Sequence, residues 1–281
     1  MLIIDEALNN ISHDNNRNLI LVVNDNGRSY APTIGGMARF LGNVRGKDSY
    51  RLIKRLAEGF FGLFGATGRA LFRGLRGGTR GFLSRFAGNE ALYSNLDIKY
   101  LGPVDGHNIG DVEHALRQAK QRRQPVIVHV ITDKGRGYAP ARNDEADQFH
   151  AVGQIDPATG KALQASDSPS WTSVFADEMV AIAGEEPTVV GITAAMLAPT
   201  GLHKMSAAYP GRVVDVGIAE QHAVTSAAGL AYGGMHPVVA VYATFINRAF
   251  DQVLMDVALH RAGVTFVLDR AGVTGPDGPS H

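Results

Sequence analysis

Short, mostly apolar runs recur along this chain, and helical patterns separate several of them. Such runs are typical of parallel strands covered on both faces, because neither face then needs polar side chains. The runs occupy residues 19–23, 125–132, 188–192, 213–216, 237–242 and 264–270. Helical patterns occupy residues 109–122, 171–183 and 245–261. The alternation predicts βαβ units and the α/β class, with doubly wound parallel sheets.

A polar segment divides the chain into two predicted domains. Residues 156–170 contain Gly, Pro and Ser without an apolar period, which is typical of a linker. We therefore predict a first domain over residues 1–155 and a second over residues 171–281. With 281 residues and 45% hydrophobic content, the chain is large enough for two hydrophobic cores.

The stretch over residues 44–88 differs from the rest of the first predicted domain. It mixes apolar residues, arginines and glycines, and two interpretations are open. One is a basic amphipathic helix that lies on a membrane surface. The other is a mobile excursion from the first domain. The glycines favour the excursion, because each costs a helix up to about 1 kcal/mol.

Composition excludes several classes of function. The 27 basic and 27 acidic residues give a net charge of zero, so charge offers no argument for a nucleic-acid or anionic-membrane partner. The absence of cysteine excludes disulfides, thiolate metal sites and a cysteine nucleophile. No run reaches the roughly 18 apolar residues of a membrane span. Residues 1–6 lack the pattern of a signal peptide, so we expect a cytoplasmic protein.

The segment over residues 213–234 carries the first candidate for chemistry. It predicts a short strand, a turn at Gly217 and a helix that begins near Glu220. That order brings the Glu220 carboxylate to the carboxyl end of a parallel sheet, where ligands usually bind. The helix is rich in small residues, which predicts close packing that would hold the carboxylate in one place. The alternative is a simple interaction with the helix dipole, worth a few tenths to about 1 kcal/mol.

A second candidate follows the first predicted strand, in the sequence VVNDNGR at residues 22–28. An asparagine amide oxygen and a backbone carbonyl at a strand end are oxygen ligands of the kind that Mg²⁺ takes. Asn-Asp-Asn-Gly is also an ordinary turn composition. The residues alone leave both interpretations open.

Five motifs occur together and in order along the chain. They are VVNDNGRSYAPT, KYLGPVDGHN, TDKGRGYAPA, IAEQHAVTSAAGLA and DRAGVTGPDGPSH. This set resembles the 1-deoxy-D-xylulose-5-phosphate synthases, thiamine-diphosphate enzymes of the transketolase superfamily. The resemblance runs from Glu6 to His281. The IAEQH motif is shared across transketolases and related dehydrogenases, whereas GPVDGH and the final motif are more specific to the synthases.

The resemblance implies a reaction, a pair of cofactors and an assembly. Family members condense pyruvate with D-glyceraldehyde 3-phosphate to 1-deoxy-D-xylulose 5-phosphate and release CO₂, the first step of non-mevalonate isoprenoid synthesis. Thiamine diphosphate and Mg²⁺ are the implied cofactors, and a homodimer is the implied assembly. The first domain would be the back part of a diphosphate-binding domain, and the second most of a pyrimidine-binding domain.

Cofactor-binding roles follow from the same resemblance, residue by residue. Glu220 matches the carboxylate that hydrogen-bonds the aminopyrimidine ring and promotes removal of the thiazolium proton. Asn26 and the backbone carbonyl of Arg28 match ligands of Mg²⁺. Tyr138 and Phe245 match aromatic residues that line the cofactor site. For these two aromatic residues, core packing is the simpler interpretation of the sequence.

Substrate-binding and catalytic roles are implied for a second group. Tyr242, Arg248 and Arg270 match the substrate region, where the Arg270 guanidinium suits the phosphate of the aldehyde. His150, Asp277 and His281 match polar groups near the reacting carbons, and histidine suits proton transfer near neutral pH. Without the resemblance, the last three are expected to be surface residues. His107 and His222 receive no role.

Part of the family pattern is missing from the chain. Family members also bind Mg²⁺ through an aspartate in an upstream Gly-Asp-Gly motif, and counting back from Asn26 places that aspartate before Met1. We therefore expect a fragment that binds the cofactor weakly and is inactive by itself. Two alternatives are a non-catalytic α/β module and another transketolase-type enzyme. The GPVDGH and final motifs argue against the second of these.

Overall fold

The computed structural model describes residues 2–13, 18–28, 98–145, 147–150, 152–163 and 168–273. The chain divides into two compact units, and within the described residues the boundary lies between Lys134 and Gly135. Each unit contains a parallel sheet, which confirms the predicted α/β class. The predicted excursion over residues 44–88 lies outside the described residues. In the part of the chain that is described, no helix is both long and apolar enough to cross a membrane.

In the described part of the first unit, three strands form a sheet with a helix packed on it. Its elements are helix α1 (Leu2–His13), strands β1 (Ile20–Asp25) and β2 (Lys99–Asp105), helix α2 (Ile109–Arg122) and strand β3 (Val126–Ile131). The strands run parallel in the order β1-β3-β2. Val126, Val128 and Val130 on β3 are buried against Ala115 and Ala119 of α2. Asn108 caps α2 by accepting the backbone N–H of Asp111.

Strand β1 differs from its prediction in extent and in burial. It begins at Ile20 and continues through Asp25, so the turn comes two residues later than expected. Val22 and Val23 are 55% and 36% exposed, although the apolar run predicts cover on both faces. The physical reason is position, because β1 lies at the edge of the three described strands.

The second unit holds a four-stranded parallel sheet. Its elements are helices α3 (Ala139–Asn143) and α4 (Trp171–Glu185), strand β4 (Val189–Thr193), helix α5 (Leu202–Ala208), strand β5 (Val213–Asp215), helix α6 (Glu220–Tyr232), strand β6 (His236–Tyr242), a 3₁₀ turn (Phe245–Ala249), helix α7 (Phe250–Gln252), a π-helical turn (Val253–Ala258) and strand β7 (Thr265–Asp269). The strand order is β5-β4-β6-β7.

Helices cover both faces of this second sheet. On one face, Val239 and Val241 of β6 pack with Ala223 and Ala227 of α6. On the other face, neighbouring positions of β6 pack with Met179 of α4 and with residues of α5. Successive strand residues therefore point into different cores, as expected for a sheet wound on both sides. The fully buried alanines of α6 also confirm the predicted close packing of that helix.

The prediction of one regular α-helix over residues 245–261 is wrong. The segment changes from a 3₁₀ turn to one α-helical turn and then to a π-helical turn. Ala249, Val253 and Val257 recur every fourth residue and pack on α6. In a regular α-helix, each step of four residues turns by about 40° away from the partner. The wider π turn offsets that drift, so the tertiary contact overrides the local preference.

Candidate functional site at the carboxyl edge of the second sheet

The chain reverses its direction of winding in the middle of the second sheet. It passes from β4 outward to β5, then returns past β4 to β6 and continues to β7. In open α/β sheets, ligands bind beyond the carboxyl ends of the strands at such a reversal. Five predicted site residues follow the carboxyl ends of β5, β6 and β7 or end the strand. They are Glu220, Tyr242, Phe245, Arg248 and Arg270.

Glu220 is a buried carboxylate at the first residue of α6 and is only 2% exposed. The positive end of the helix dipole favours a negative charge there. Its two carboxylate oxygens lie 3.5 and 3.4 Å from Nη1 of Arg248. Charge-assisted hydrogen bonds are usually about 2.7–2.9 Å long. Among the described residues this long contact is its only side-chain partner, so the carboxylate retains capacity to accept further hydrogen bonds.

Aromatic and guanidinium groups continue from this pair along the same edge. The Arg248 guanidinium carbon lies 5.4 Å from the centre of the Phe245 ring. Phe245 stacks on Tyr242, with ring centres 5.8 Å apart and planes 24° apart. The Arg270 guanidinium carbon lies 4.5 Å from the centre of the Tyr242 ring. We call these five residues, from Glu220 through Arg248, Phe245 and Tyr242 to Arg270, the edge series.

The end of β7 positions Arg270. Arg270 has a left-handed backbone with a φ of 55°, and its N–H donates to Oδ1 of Asp269 at 2.8 Å. The other carboxylate oxygen of Asp269 accepts the hydroxyl of Thr172 at 3.2 Å. The backbone carbonyl of Asp269 accepts the N–H of Ala243, which follows β6. Arg270 is therefore tied to α4 and to the end of β6 through one aspartate.

Asp215 organises the turn that precedes Glu220, and the sequence did not single it out. Its Oδ1 accepts the N–H of Ala195 at 2.7 Å and that of Gly217 at 2.9 Å. Ala195 and Gly217 both have positive φ values, 61° and 72°. The signal for this role is an aspartate at a strand end two residues before a glycine, a pattern that favours a side chain to backbone turn. One carboxylate thus joins the ends of β4 and β5.

The turn after β1 in the first unit contains the predicted metal ligands. Oδ1 of Asn26 accepts the N–H of Arg28 at 3.0 Å. Oδ1 of Asp25 accepts the N–H of Gly27 at 3.1 Å, and Gly27 has a φ of 76°. An amide oxygen has two lone pairs, so Asn26 retains one for a cation. The described residues contain no group of three or more His, Cys, Asp or Glu that could hold a metal.

A polar chain centred on a buried histidine lies beside this turn, and the sequence alone does not predict it. Nε2 of His129 lies 3.1 Å from Oδ2 of Asp25, and its Nδ1 lies 2.6 Å from Oη of Tyr100. His129 is 1% exposed and sits within the apolar strand β3. The available signal was a single polar residue in an otherwise apolar run, because buried polar groups need partners.

Comparison with known proteins assigns the family. Residues 3–132 match the family described as 1-deoxy-D-xylulose-5-phosphate synthase, and residues 167–281 match the pyrimidine binding domain of transketolase. The chain is 72% identical over 276 residues to a 1-deoxy-D-xylulose-5-phosphate synthase of Clavibacter sepedonicus. The chain belongs to the 1-deoxy-D-xylulose-5-phosphate synthase family.

The matches with this family extend over most of the chain. The Clavibacter sepedonicus match covers 98% of this chain and 42% of the relative. A synthase of Tropheryma whipplei (strain Twist) is 60% identical over 279 residues, which cover 98% of this chain and 44% of that protein. The chain therefore spans about two fifths of the length of these curated relatives.

Solved structures give a more distant likeness. A transketolase of Campylobacter jejuni aligns with 68% of this chain and 40% of its own, at 15% identity and a TM-score of 0.35. The strand order and the helices that cover both faces of the second sheet define the fold.

The remaining residues that resemble synthase positions lie elsewhere in the second unit or outside the described residues. Oη of Tyr138 is buried and has no hydrogen-bond partner in the part of the chain that the structure describes. The centre of its ring lies 6.1 Å from the centre of the Phe149 ring. His150 is exposed, and its N–H donates to Oδ1 of Asp147 at 3.2 Å. Asp277 and His281 lie outside the described residues.

Asp144 holds the turn that carries His150. Its Oδ2 accepts the N–H groups of Asp147 at 3.0 Å and Gln148 at 2.9 Å. These hydrogen bonds hold the pKa of the Asp144 carboxyl below its usual value, and the bond from the Asp147 N–H has the largest effect. Gln148 and Phe149 adopt left-handed backbones with φ values of 53° and 55°. The aspartate therefore stabilises a turn that the backbone alone disfavours.

The two unassigned histidines have ordinary structural surroundings. Nε2 of His107 accepts the N–H of Asp133 at 2.7 Å, which joins the ends of β2 and β3. His222 is exposed on α6, with Nδ1 at 3.4 Å from Oγ of Ser226. The first is a structural contact, and the second lies on the solvent side of the helix.

Proposed function

We propose that this chain carries cofactor-binding and substrate-binding residues of a thiamine-diphosphate-dependent synthase. The reaction is the condensation of pyruvate with D-glyceraldehyde 3-phosphate to 1-deoxy-D-xylulose 5-phosphate and CO₂. The edge series carries the proposal, because it combines a buried carboxylate, an aromatic surface and two guanidinium groups beyond the strand ends. The synthase names of the relatives support the same reaction.

Glu220 has the properties that the aminopyrimidine end of the cofactor requires. Thiamine diphosphate, when bound, supplies a nucleophilic carbon and an electron sink. The Glu220 carboxylate is buried and only loosely paired with Arg248, so it can accept a ring N–H. In this role Glu220 would hold that proton at the ring when the cofactor is bound. Its burial excludes water, which strengthens the hydrogen bond.

Other residues of the second unit fit the cofactor and the substrates. Phe245 offers an aromatic ring to the pyrimidine, and the buried hydroxyl of Tyr138 is available to a cofactor group. Arg270 and Arg248 offer guanidinium groups on either side of the aromatic pair, and these suit a phosphate or carboxylate. Tyr242 contributes the ring between Phe245 and Arg270.

Asn26 and Arg28 fit a hard cation by the chemistry of their oxygens. We propose that Oδ1 of Asn26 and the backbone carbonyl of Arg28 are ligands of Mg²⁺. Oδ1 accepts only the Arg28 N–H among the described contacts, which leaves a lone pair for the cation. Both ligands are neutral, so the two cofactor phosphates would balance the charge of the ion.

The remaining proposals rest on the family resemblance. His150, Asp277 and His281 are proposed proton-handling groups near the reacting carbons. Residues 156–170 are the proposed linker between domains 1–155 and 171–281. The homodimer and the cytoplasmic location are proposals of the same kind.

The proposed function is tested in a chimeric synthase. The stretch of the Clavibacter sepedonicus relative that matches this chain is replaced by the residues of this chain, and product formation and CO₂ release are measured. We expect the chimera to be active, and Glu220→Gln to lower kcat by about 10²–10⁴-fold, the usual contribution of a positioned proton-transfer group. His222→Gln is the matched control, because His222 is exposed on the same helix. A folded but inactive chimera would favour the non-catalytic module.

The chain by itself has a separate expected outcome. Calorimetry with thiamine diphosphate should show weak, Mg²⁺-dependent binding, far weaker than that of a full-length relative. Asn26→Ala should remove the Mg²⁺ dependence, because the amide oxygen is the proposed ligand. Binding as tight as that of the full-length relative would contradict the expectation of weak binding.

A further inference from the structure

The polar chain of Tyr100, His129 and Asp25, of which His129 is buried, is not used in the function proposed above. Tyr100 lies on β2, His129 on β3 and Asp25 at the end of β1. The contacts of 2.6 Å and 3.1 Å from the two nitrogens of His129 therefore connect the three described strands of the first sheet. We call these three residues the cross-strand chain.

The cross-strand chain ends on the turn that holds Asn26. Asp25 uses Oδ2 for His129 and Oδ1 for the N–H of Gly27. Asn26 then accepts the N–H of Arg28, one residue further along. The orientation of the Asp25 carboxylate thus determines where the Gly27 amide lies, and with it the path of the backbone through Asn26.

His129 satisfies both of its ring nitrogens in this arrangement. With an ionised Asp25, the neutral ring donates Nε2–H to the carboxylate and accepts the Tyr100 hydroxyl at Nδ1. The fit on the β2 side is tight, since a Cβ on Gly102 would lie 2.7 Å from the carbonyl oxygen of His129. An apolar residue in the middle of β3 would avoid the cost of burying a polar ring. Positioning of the turn after β1 therefore explains the cross-strand chain better than a gain in folding stability does.

We infer that His129 is a positioning residue that acts through Asp25 to hold the turn at residues 25–28, so that Asn26 presents its amide oxygen. The consequence for cofactor affinity rests on the proposed function. The effect on the shape of the turn is independent of the proposed function, and it can be measured in the chain without any cofactor.

The test compares amide hydrogen exchange in four variants of the 281-residue chain. His129→Phe removes both polar contacts, and Tyr100→Phe removes only the hydroxyl. His129→Gln keeps a side-chain N–H that can reach Asp25. Val128→Ala is the matched control, because Val128 is buried in the same strand but belongs to the apolar cluster. The measured quantities are the exchange rates of the Gly27 and Arg28 amides, with those of β3 as the reference.

The expected result is selective opening of the turn. His129→Phe should raise the exchange rate of Gly27 by about tenfold or more relative to the β3 amides, since the turn then opens locally. Tyr100→Phe should raise it less, and His129→Gln should restore most of the protection. Val128→Ala should affect the turn and the strand alike. An unchanged Gly27 rate in His129→Phe, or equal acceleration throughout β3, would overturn the inference.

A second readout separates this inference from the proposed function. If both the proposed function and the positioning role are correct, His129→Phe should weaken Mg²⁺-dependent binding of thiamine diphosphate by about tenfold. A loss of this size is typical when a residue that orients a metal ligand is removed. His129→Gln should restore the affinity. If the unaltered chain binds no thiamine diphosphate but the turn still opens selectively, the expected weak binding fails and the positioning role stands, whereas the proposed function fails only if the folded chimera is inactive. If binding weakens while the Gly27 rate stays unchanged, the positioning role fails.

Discussion

The side chains of Glu220 and Arg248 differ strongly in their exposure to water. The Glu220 side chain is 3% exposed, whereas that of Arg248 is 51% exposed. The carboxylate has lost its hydration, and the guanidinium has kept much of its own. Solvent therefore screens the pair, and a contact of 3.4 Å contributes little stability. The arrangement leaves the carboxylate available to a better partner.

Arg248 gives a prediction about this pair. Arg248→Gln should lower the free energy of unfolding by only about 1 kcal/mol, because the pair is half exposed and the cation–π contact with Phe245 is modest. Urea unfolding measures the change. In the Glu220→Gln background the loss should shrink, since no buried carboxylate is then left unpaired. An equal loss in both backgrounds would show that the ion pair contributes nothing.

Asp144 gives a prediction about pH. Its carboxyl pKa is lower in the folded chain than the usual value, mainly through the N–H of Asp147. A lowered pKa adds stability above the unfolded pKa of about 3.9 and loses it as pH falls through the folded value. The hydrogen bonds that the amides of Asp147 and Gln148 donate to Asp144 should therefore persist at neutral pH and break in acid. Amide exchange of Gln148 and Phe149 measures the opening.

A matched pair of variants controls the pH prediction. Asp144→Asn should open the turn at neutral pH and flatten its dependence on pH. Asp156 also has a lowered pKa, mainly through the N–H of Ala158, but its bonds lie in a different turn. Asp156→Asn should leave the Gln148 and Phe149 amides unchanged. Acid opening that persists in Asp144→Asn would assign the effect to another group.

At the scale of the element, the turn between β5 and α6 depends on Asp215. Asp215→Ala should lower the free energy of unfolding by about 2–3 kcal/mol, because the amides of Ala195 and Gly217 both lose a charged acceptor. Asp215→Asn keeps an oxygen acceptor and should cost less. Thermal unfolding measures both. A loss in Asp215→Asn as large as in Asp215→Ala would show that the charge matters more than the hydrogen bonds.

The central elements of both sheets follow from the sequence alone. Strands β3, β4 and β6 are buried, so their apolar runs are long and the predicted bounds agree within about two residues. Strand β2 was not predicted, because Gly102 and Pro103 interrupt its pattern and its register shifts at that point. The irregular segment from Phe245 to Ala258 was also missed in its detail, since its geometry depends on contacts with α6.

The residues of the candidate site also differ in how far the sequence alone predicts them. Glu220 is predictable from the strand, turn and small-residue helix around it. Tyr242, Arg248 and Arg270 become candidates only through the resemblance, because a polar side chain at a strand end is ordinary in any sheet. Asp215 and the cross-strand chain were missed, since their roles depend on partners far away in the sequence. His129 and Asp25, for example, are separated by 104 positions.

At the scale of the whole molecule, one segment of the second unit exposes several large apolar side chains. Along the segment from Phe250 to Leu259, the side facing α6 is packed, whereas Phe250 and Leu259 are each 65% exposed. Leu254 and Met255 between them are also exposed. Contiguous exposed apolar side chains often mark an interaction surface. They support the proposed homodimer.

The proposed homodimer leads to a prediction about mass in solution. Analytical ultracentrifugation should give a dimer for the 281-residue chain and a shift towards monomer for Leu259→Asp, because the charge would be buried at the interface. Ile182→Asp is the control, since Ile182 is an exposed apolar residue on α4 in the same unit. A monomeric starting chain, or an equal shift in both variants, would contradict the proposed interface.

The π-helical turn at Val253–Ala258 also sets the rotation about the helix axis between the segments before and after it. Removing one residue from it would restore an ordinary helix and rotate the preceding segment by about 100° relative to the following one. Arg248 would then leave Glu220, although no residue of the edge series had been altered. Related chains should therefore tolerate substitutions here more readily than single-residue insertions or deletions.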